Sequence, residues 1–191
     1  FQAEDGIRVP KRDWSSDVCS SDLYIMNMHH NFICAIARAI CAKSYLELGL
    51  YKGTTFSAVA PFVEKCVGVD TKNYFTPQKG IVHTMTTEEF FRRNTDTFDL
   101  IFIDADHSFA AAQNDLLSSL NVLNPHGVVV LHDTDPTKVE FLDFGYCGDS
   151  YRIVDWIYEC RADLDVMTFP VGDPGLSMVK RKADRRVLTF I

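Results

Sequence analysis

The stretch that most narrows what this chain can become is Phe98-Asp-Leu-Ile-Phe-Ile-Asp-Ala-Asp-His-Ser-Phe109, an apolar run that stops in two carboxylates and an imidazole. Leu100 to Ile103 are apolar without a break and leave no face for water. The run therefore reads as a strand covered on both sides, as in a parallel sheet. Asp104, Asp106 and His107 then stand at its C-terminal edge, where open α/β sheets bind their ligands. The pattern returns in Gly127-Val-Val-Val-Leu-His-Asp-Thr-Asp-Pro136, where a strand runs straight into His132 and Asp133. Two strands thus deliver Asp and His groups to one rim.

Around these strands the chain alternates. Phe32, Ile33, Ile36, Ala37 and Ile40 form a helical face within Asn31 to Lys43, which leads into a strand from Ser44 to Leu48. Thr54 to Val63 is the next helix and Cys66 to Asp70 the next strand. Pro77, Lys79 and Gly80 mark a loop before a weaker strand, Ile81 to Thr84. Thr86-Thr-Glu-Glu89 has the form of a capping box for a short helix through Phe90, Phe91 and Arg93. Phe109, Ala112, Leu116, Leu120 and Leu123 share one helical face, which Asn124-Pro-His-Gly127 ends. A helix from Asp149 to Cys160 and strands at Val166 to Phe169 and Leu176 to Val179 complete the pattern. Repeated strand–helix units with buried strands predict a Rossmann-like, doubly wound α/β fold: a mostly parallel seven-stranded sheet with helices on both faces, in a single domain.

Residues 1 to 23 are set apart from this pattern. Asp13-Trp-Ser-Ser-Asp-Val-Cys-Ser-Ser-Asp-Leu23 resembles the translation of a common sequencing adapter, and Gln2-Ala-Glu-Asp-Gly-Ile-Arg8 resembles its outer end. The expectation is an artefact over 1–23, a single evolved domain over 24–191, and a native N-terminus that is missing. The formal charge of −7 becomes −5 without the arm, because three cations (Arg8, Lys11, Arg12) leave with five anions (Glu4, Asp5, Asp13, Asp17, Asp22). A mildly acidic chain argues against nucleic acid as a partner. The basic tail, Lys180-Arg-Lys182 with Arg185 and Arg186, reads as a solvated strand end. No apolar run approaches the ~18 residues of a membrane span. Outside the arm, Cys34, Cys41, Cys66, Cys147 and Cys160 show no C-x-x-C pair, so reduced thiols and a cytoplasmic location are expected.

The first strand-to-helix turn is Tyr45-Leu-Glu-Leu-Gly-Leu-Tyr-Lys-Gly-Thr-Thr55. Gly49 allows a sharp turn after the strand, and Gly53 allows backbone to approach a ligand at the helix start. Asp70 ends the following strand about 20 residues later, where a carboxylate accepts from ribose hydroxyls. Together they point to an adenosyl cofactor. Glu47 either caps the strand end or organises the cofactor loop.

These segments, with Met85-Thr-Thr-Glu-Glu-Phe-Phe91 and Leu123-Asn-Pro-His-Gly127, resemble the class I S-adenosylmethionine-dependent methyltransferases, and most closely the methyltransferase family 24 type. The resemblance covers nearly everything from Tyr24 onward. It implies that Glu47, Gly49, Gly53 and Thr54 surround the methionine moiety, that Asp70 meets the ribose, that Met85 and Thr86 meet the adenine, and that Asp104 also belongs to the cofactor site. His126 departs from it, standing where the family has glycine.

Methyl transfer to oxygen needs the acceptor hydroxyl deprotonated, by a base or with the help of a metal ion. Asp104, His132 and Asp133 are the expected metal set, for Mg2+ or another divalent cation, and His107 is the expected base. In the resembling group a carboxylate stands in place of His132, which leaves room for manganese, zinc or no metal. A structural reading stands beside this one, in which Asp104 and Asp106 cap the next helix and His132 packs under a loop. His29, His30 and His83 receive no role. The expected activity is O-methylation of a small-molecule acceptor such as a sugar or secondary metabolite. The loop from Thr137 to Ser150, with Phe141, Phe144 and Tyr146, would form an apolar acceptor wall. The rival readings are a nicotinamide-dependent oxidoreductase, against which the missing middle glycine counts, and a non-catalytic adenosyl-binding protein. The oligomeric state stays open, with a homodimer one option.

Overall fold

The structure, a computed structural model, describes residues 28–143, 145–171 and 174–184. The adapter-like arm, Phe144, Arg185 and Arg186 lie outside the described residues. The elements in chain order are α1 (Met28–Ala39), β1 (Ser44–Leu48), α2 (Thr54–Val59), β2 (Lys65–Asp70), β3 (Ile81–Thr84), α3 (Thr87–Arg93), β4 (Phe98–Ile103), α4 (Phe109–Val122), β5 (Leu123–His132), α5 (Arg152–Cys160), β6 (Leu164–Phe169) and β7 (Leu176–Arg181). The strands form one seven-stranded sheet in the order β3-β2-β1-β4-β5-β7-β6. It is parallel except for β7, which runs antiparallel to β5 and β6.

Period-two alternation along the central strands builds two cores. Leu46, Leu48, Ile101, Ile103, Val129 and Leu131 point to one face, where Phe90 of α3, Leu116 and Leu120 of α4 and Ile153 and Ile157 of α5 cover them. Tyr45, Leu100, Phe102, Val128 and Val130 point to the other, beneath Ile33, Ile36 and Ala37 of α1 and Phe56 and Val59 of α2. Each fully buried large side chain contributes about 1.5–3 kcal/mol, so a sheet apolar on both faces is stable only with helices on both. From β1 the order runs outward through β2 to β3, then jumps back past β1 to β4. The direction reverses between β1 and β4, and a crevice opens at their carboxyl ends.

Several boundaries differ from the sequence reading, and four of the differences have a local cause. α1 ends at Ala39 rather than running to Lys43, because Cys41 adopts a φ of 54° and breaks the helical ladder. α2 gives way to a 3₁₀ turn over Ala60–Phe62, where Pro61 lacks the N–H that an α-helix needs. α5 starts at Arg152, since the N–H groups of Asp149 and Ser150 are turned onto the His107 carbonyl. β5 begins at Leu123, directly after α4, because Leu123 pairs with Phe98 before the register shifts so that Val128 pairs with Leu100. Cys34, Cys41, Cys66 and Cys160 are free thiols.

The register shift in β5 carries His126 into the left-handed region at a φ of 65°. A Cβ costs roughly 1–2 kcal/mol there, which glycine does not incur. His126→Gly is therefore expected to stabilise the fold by about 0.5–1 kcal/mol and raise Tm by roughly 1–4 °C in calorimetry. A fall in Tm would show that contacts of the imidazole outweigh the backbone strain.

Candidate active site

The crevice is held together by backbone. The Asp104 N–H donates to the Leu48 carbonyl at 2.8 Å, and the Gly49 N–H to the Val69 carbonyl at 2.8 Å. Gly49 has a φ of 84°, and a Cβ on it would stand 1.9 Å from the Asp104 carbonyl oxygen. Glycine is thus required both for the turn and for the closeness of β1 to β4. Gly53 has a φ of 69°, and the space a Cβ would need is taken by the ring of Phe75. Asp70 tightens the same turn. Its Oδ2 accepts from the N–H groups of Leu50 (2.8 Å) and Tyr51 (2.9 Å), and its Oδ1 from Lys72 (3.0 Å). Burial pushes this carboxyl up, but the surrounding N–H groups bring it below the ordinary carboxylate value.

Asp104, His107, His132 and Asp133 meet at the rim. His107 Nε2 lies 3.3 Å from Asp133 Oδ2, while His132 Nδ1 lies 3.0 Å from Asp133 Oδ1 and 3.2 Å from Asp104 Oδ1. Burial drives the His132 imidazole down, but the two carboxylates outweigh it and hold the ring well above its ordinary value, so His132 is a cation at neutral pH. Burial likewise pushes Asp104 up, and the imidazoles of His132, His107 and His29 bring it below the ordinary value. Asp133 is buried and sits at a φ of 60°, an uncommon conformation fixed by its surroundings. Ser150 packs against it, its Oγ 3.3 Å from the Asp133 carbonyl while donating to the Cys147 carbonyl at 2.8 Å.

The donor atoms of Asp104, His107 and Asp133 lie within 4.8 Å of one another, a geometry able to hold a metal ion. His132, expected in that set, instead directs Nδ1 onto the two carboxylates. The N-cap of α4 is Ser108, and Asp106 accepts from the Ser108 N–H at 2.9 Å, so Asp106 shapes the turn before the helix.

Beside the rim a cavity of about 1150 Å³ is lined by Gly49, Asp70, Met85, Thr86, Asp104 and His107, all singled out in the sequence. Glu47, Gly53 and Thr54 lie outside its lining. Glu47 is buried on the α1/α2 side, where it accepts from the Tyr45 hydroxyl at 2.6 Å. Burial pushes its carboxyl well up, against the Tyr45 hydroxyl and the Phe56 N–H. Thr86 caps α3 by accepting from the Glu89 N–H at 3.1 Å, as half of the anticipated capping box.

Four contributing residues were not anticipated. His29 packs its ring 5.1 Å from that of His132, and its Nε2 lies 3.4 Å from Thr55 Oγ1. Burial and the His132 charge depress it to about 4, so it is neutral. Tyr51 and Tyr74 form an edge-to-face pair at 5.9 Å on the cavity wall. Asp115, on α4, lines the cavity although it is only 5 % exposed. A polar residue on the stripe Ala112-Asp115-Leu116-Ser119-Leu120 was the legible signal for it.

Comparison with known proteins agrees with this geometry. The family model described as "Methyltransferase domain", methyltransferase family 24, matches residues 46–134. Among solved structures the chain is similar to the O-methyltransferase TomG from Streptomyces achromogenes, involved in tomaymycin synthesis and in complex with SAM (17% identity, 80% of this chain and 79% of that one, TM-score 0.62). It is also similar to the SAH-bound Podospora anserina methyltransferase PaMTH1 (18% identity, 84% and 82%, TM-score 0.64). A third is the O-methyltransferase from Bacillus cereus in complex with SAH (16% identity, 86% and 83%, TM-score 0.60). At these identities the likeness establishes the fold. No curated protein matches.

Asp115 gives the site a measurable pH signature. Burial lifts its carboxyl to about 6, and the Thr87 hydroxyl opposes that rise. A carboxyl whose folded pKa is raised favours the folded state when protonated. That contribution is complete below about pH 4 and is lost as the pH rises to about 6. Asp115→Asn keeps the shape and cannot ionise. It is expected to exceed the parent in stability by about 2–3 kcal/mol near neutral pH, with the gap closing near pH 4 in denaturant titrations. A gap that ignores pH would refute the buried ionisation.

Proposed function

With a methyltransferase domain over residues 46–134 and the class I methyltransferase fold as premise, we propose that this protein moves the methyl group of S-adenosylmethionine to a hydroxyl of a small molecule, such as a sugar or secondary metabolite. The activity is assigned to residues 24–191, with 1–23 no part of the evolved domain. The charge of the cavity wall carries the reading. Asp70, Glu88, Asp104, Asp106 and Asp115 line it, and among the described residues no Lys or Arg does. A sulfonium and an ammonium are attracted to such a wall, whereas the pyrophosphate of a nicotinamide dinucleotide would meet carboxylates with no cation to offset them. The ordered His–Asp rim favours an enzyme over a passive adenosyl-binding protein.

Bound S-adenosylmethionine would supply an electrophilic methyl carbon. The chain's own task is then to hold the acceptor hydroxyl and take its proton. His107 is oriented through Nε2 by Asp133, which leaves Nδ1 as the nitrogen that accepts the proton, and Asp133 is itself held by His132. The loop from 137 to 150 closes the acceptor side. Its Asp149 and Ser150 N–H groups donate to the His107 carbonyl, Phe141 and Tyr146 pair at 5.9 Å, and Gly145 reaches the cavity.

A second reading rests on the convergence of Asp104, His107 and Asp133. A divalent cation held there would lower the pKa of the acceptor hydroxyl and take over the work of the base.

His107→Gln is expected to lower turnover by about 10²–10⁴ while leaving S-adenosylmethionine affinity within roughly threefold by calorimetry. Full turnover in this variant would remove His107 from the chemistry. Acceptors come from a screen of hydroxyl compounds read by release of S-adenosylhomocysteine.

Exhaustive chelation separates the two readings. Undiminished turnover is expected if His107 is the base. Loss of turnover, recovered on adding Mg2+ or Mn2+, would establish the metal instead.

A further inference from the structure

The imidazole of His107 meets Asp133 through Nε2, and the place of that ring is set by the main chain that carries it. The turn over 106–109 has local fixings of its own. Asp106 accepts from the Ser108 N–H at 2.9 Å, and Ser108 caps α4 by accepting from the Ala111 N–H at 3.3 Å. A further set arrives from 40 residues along the chain. The N–H groups of Asp149 and Ser150 both donate to the His107 carbonyl at 3.1 Å, and Asp149 Oδ1 accepts from the Phe109 N–H at 2.7 Å. Asp149 thus grips the turn at the carbonyl of His107 and again at the first amide of α4.

A helix start does not call for this, because local caps and water satisfy its first N–H groups. Drawing a carboxylate from a distant loop orders that loop against the turn, at a cost in backbone entropy. What the contact secures is a direction. The other oxygen, Oδ2, accepts from Arg152 Nη1 at 3.3 Å, and the Arg152 guanidinium lies 5.3 Å over the Phe109 ring. One carboxylate therefore clasps the first residue of α4 to the first residue of α5. On the other side Ser150 Oγ stands 3.3 Å from the Asp133 carbonyl. Asp149 and Ser150 are wedged between the two residues whose side chains keep His107 Nε2 at 3.3 Å from Asp133 Oδ2.

We propose that Asp149 is a positioning residue for methyl transfer: its carboxylate fixes the 106–109 turn so that His107 keeps Nε2 on Asp133 and Nδ1 toward the acceptor hydroxyl. This rests on the proposed use of His107 as the base. A general base must stand within hydrogen-bond reach of the proton it takes, and a misplacement of about 1 Å can cost about 10²-fold in rate.

The test is a cycle of variants in the full chain, with turnover measured on a hydroxyl acceptor and S-adenosylhomocysteine affinity by calorimetry. Asp149→Ala removes the carboxylate and keeps the N–H on the His107 carbonyl. It is expected to lower kcat about tenfold, with acceptor KM and S-adenosylhomocysteine affinity within about threefold of the parent. Asp149→Asn keeps an oxygen for the Phe109 N–H and should restore kcat to within about threefold. In a His107→Gln background Asp149→Ala should cost less than about twofold, because the group it positions is already gone. An equal loss in both backgrounds would overturn the proposal and make Asp149 a structural residue. Parental kcat in folded Asp149→Ala, with turnover lost in His107→Gln, would overturn it and leave the base in place. Full turnover in His107→Gln, or a parent that methylates no hydroxyl acceptor, would overturn the base assignment and this proposal together. Should Asp149→Ala fail to fold, Asp149→Leu, of similar size and without an acceptor, carries the same expectation.

Discussion

Gly49 and Asp104 meet backbone to backbone where β1 and β4 part, with room between them for a hydrogen and not for a carbon. That contact lets the Asp104 N–H reach the Leu48 carbonyl, and so carries the parallel pairing of the two central strands to the end of β4. Asp70 reinforces it from the neighbouring strand, its carboxylate collecting the N–H groups of the turn that Gly49 starts. The carboxyl ends of three strands are therefore one rigid corner. A side chain emerging from that corner is aimed by main chain, which costs less side-chain entropy than aiming it through a flexible loop.

The rim inherits its order from this corner and its charge balance from His132. Two carboxylates side by side at one rim would repel. A buried imidazolium between Asp104 and Asp133 offsets that repulsion and fixes the direction of both. Asp133 is then free to orient His107 with its other oxygen, and its left-handed backbone is the conformation that presents the two oxygens to different imidazoles. The neutral ring of His29 packs on His132 from the α1 side, covering the charge without adding a second one.

The fold was legible because its strands are apolar on both faces. Runs such as Leu100–Ile103 and Val128–Leu131 have only one architecture in which both faces are dry. The rim was legible for the same reason, since polar residues that follow such a run must sit at its edge. What stands opposite a residue was not legible. A glycine announces that a Cβ does not fit, but nothing local tells that Phe75 is the obstacle at Gly53, or that the Asp104 backbone is the obstacle at Gly49. The placing of His29 against His132 depends on how α1 crosses the sheet, which the period of α1 does not encode. Asp115 was legible in principle, because a carboxylate on the buried stripe of an amphipathic helix is costly unless something outside the helix answers it.

The two ends of the cavity therefore solve opposite electrostatic problems with the same residue type. At the rim, against the upward push of burial, the imidazoles of His132, His107 and His29 hold Asp104 below the ordinary carboxylate value. In the recess between α3 and α4, Asp115 has no imidazole beside it, and burial lifts its carboxyl to about 6. Depth in the cleft, set by how far each side chain stands from the β1–β4 corner and from the His cluster, decides which behaviour a carboxyl shows. One cavity wall thereby carries a carboxyl held down by imidazoles and another pushed up by burial.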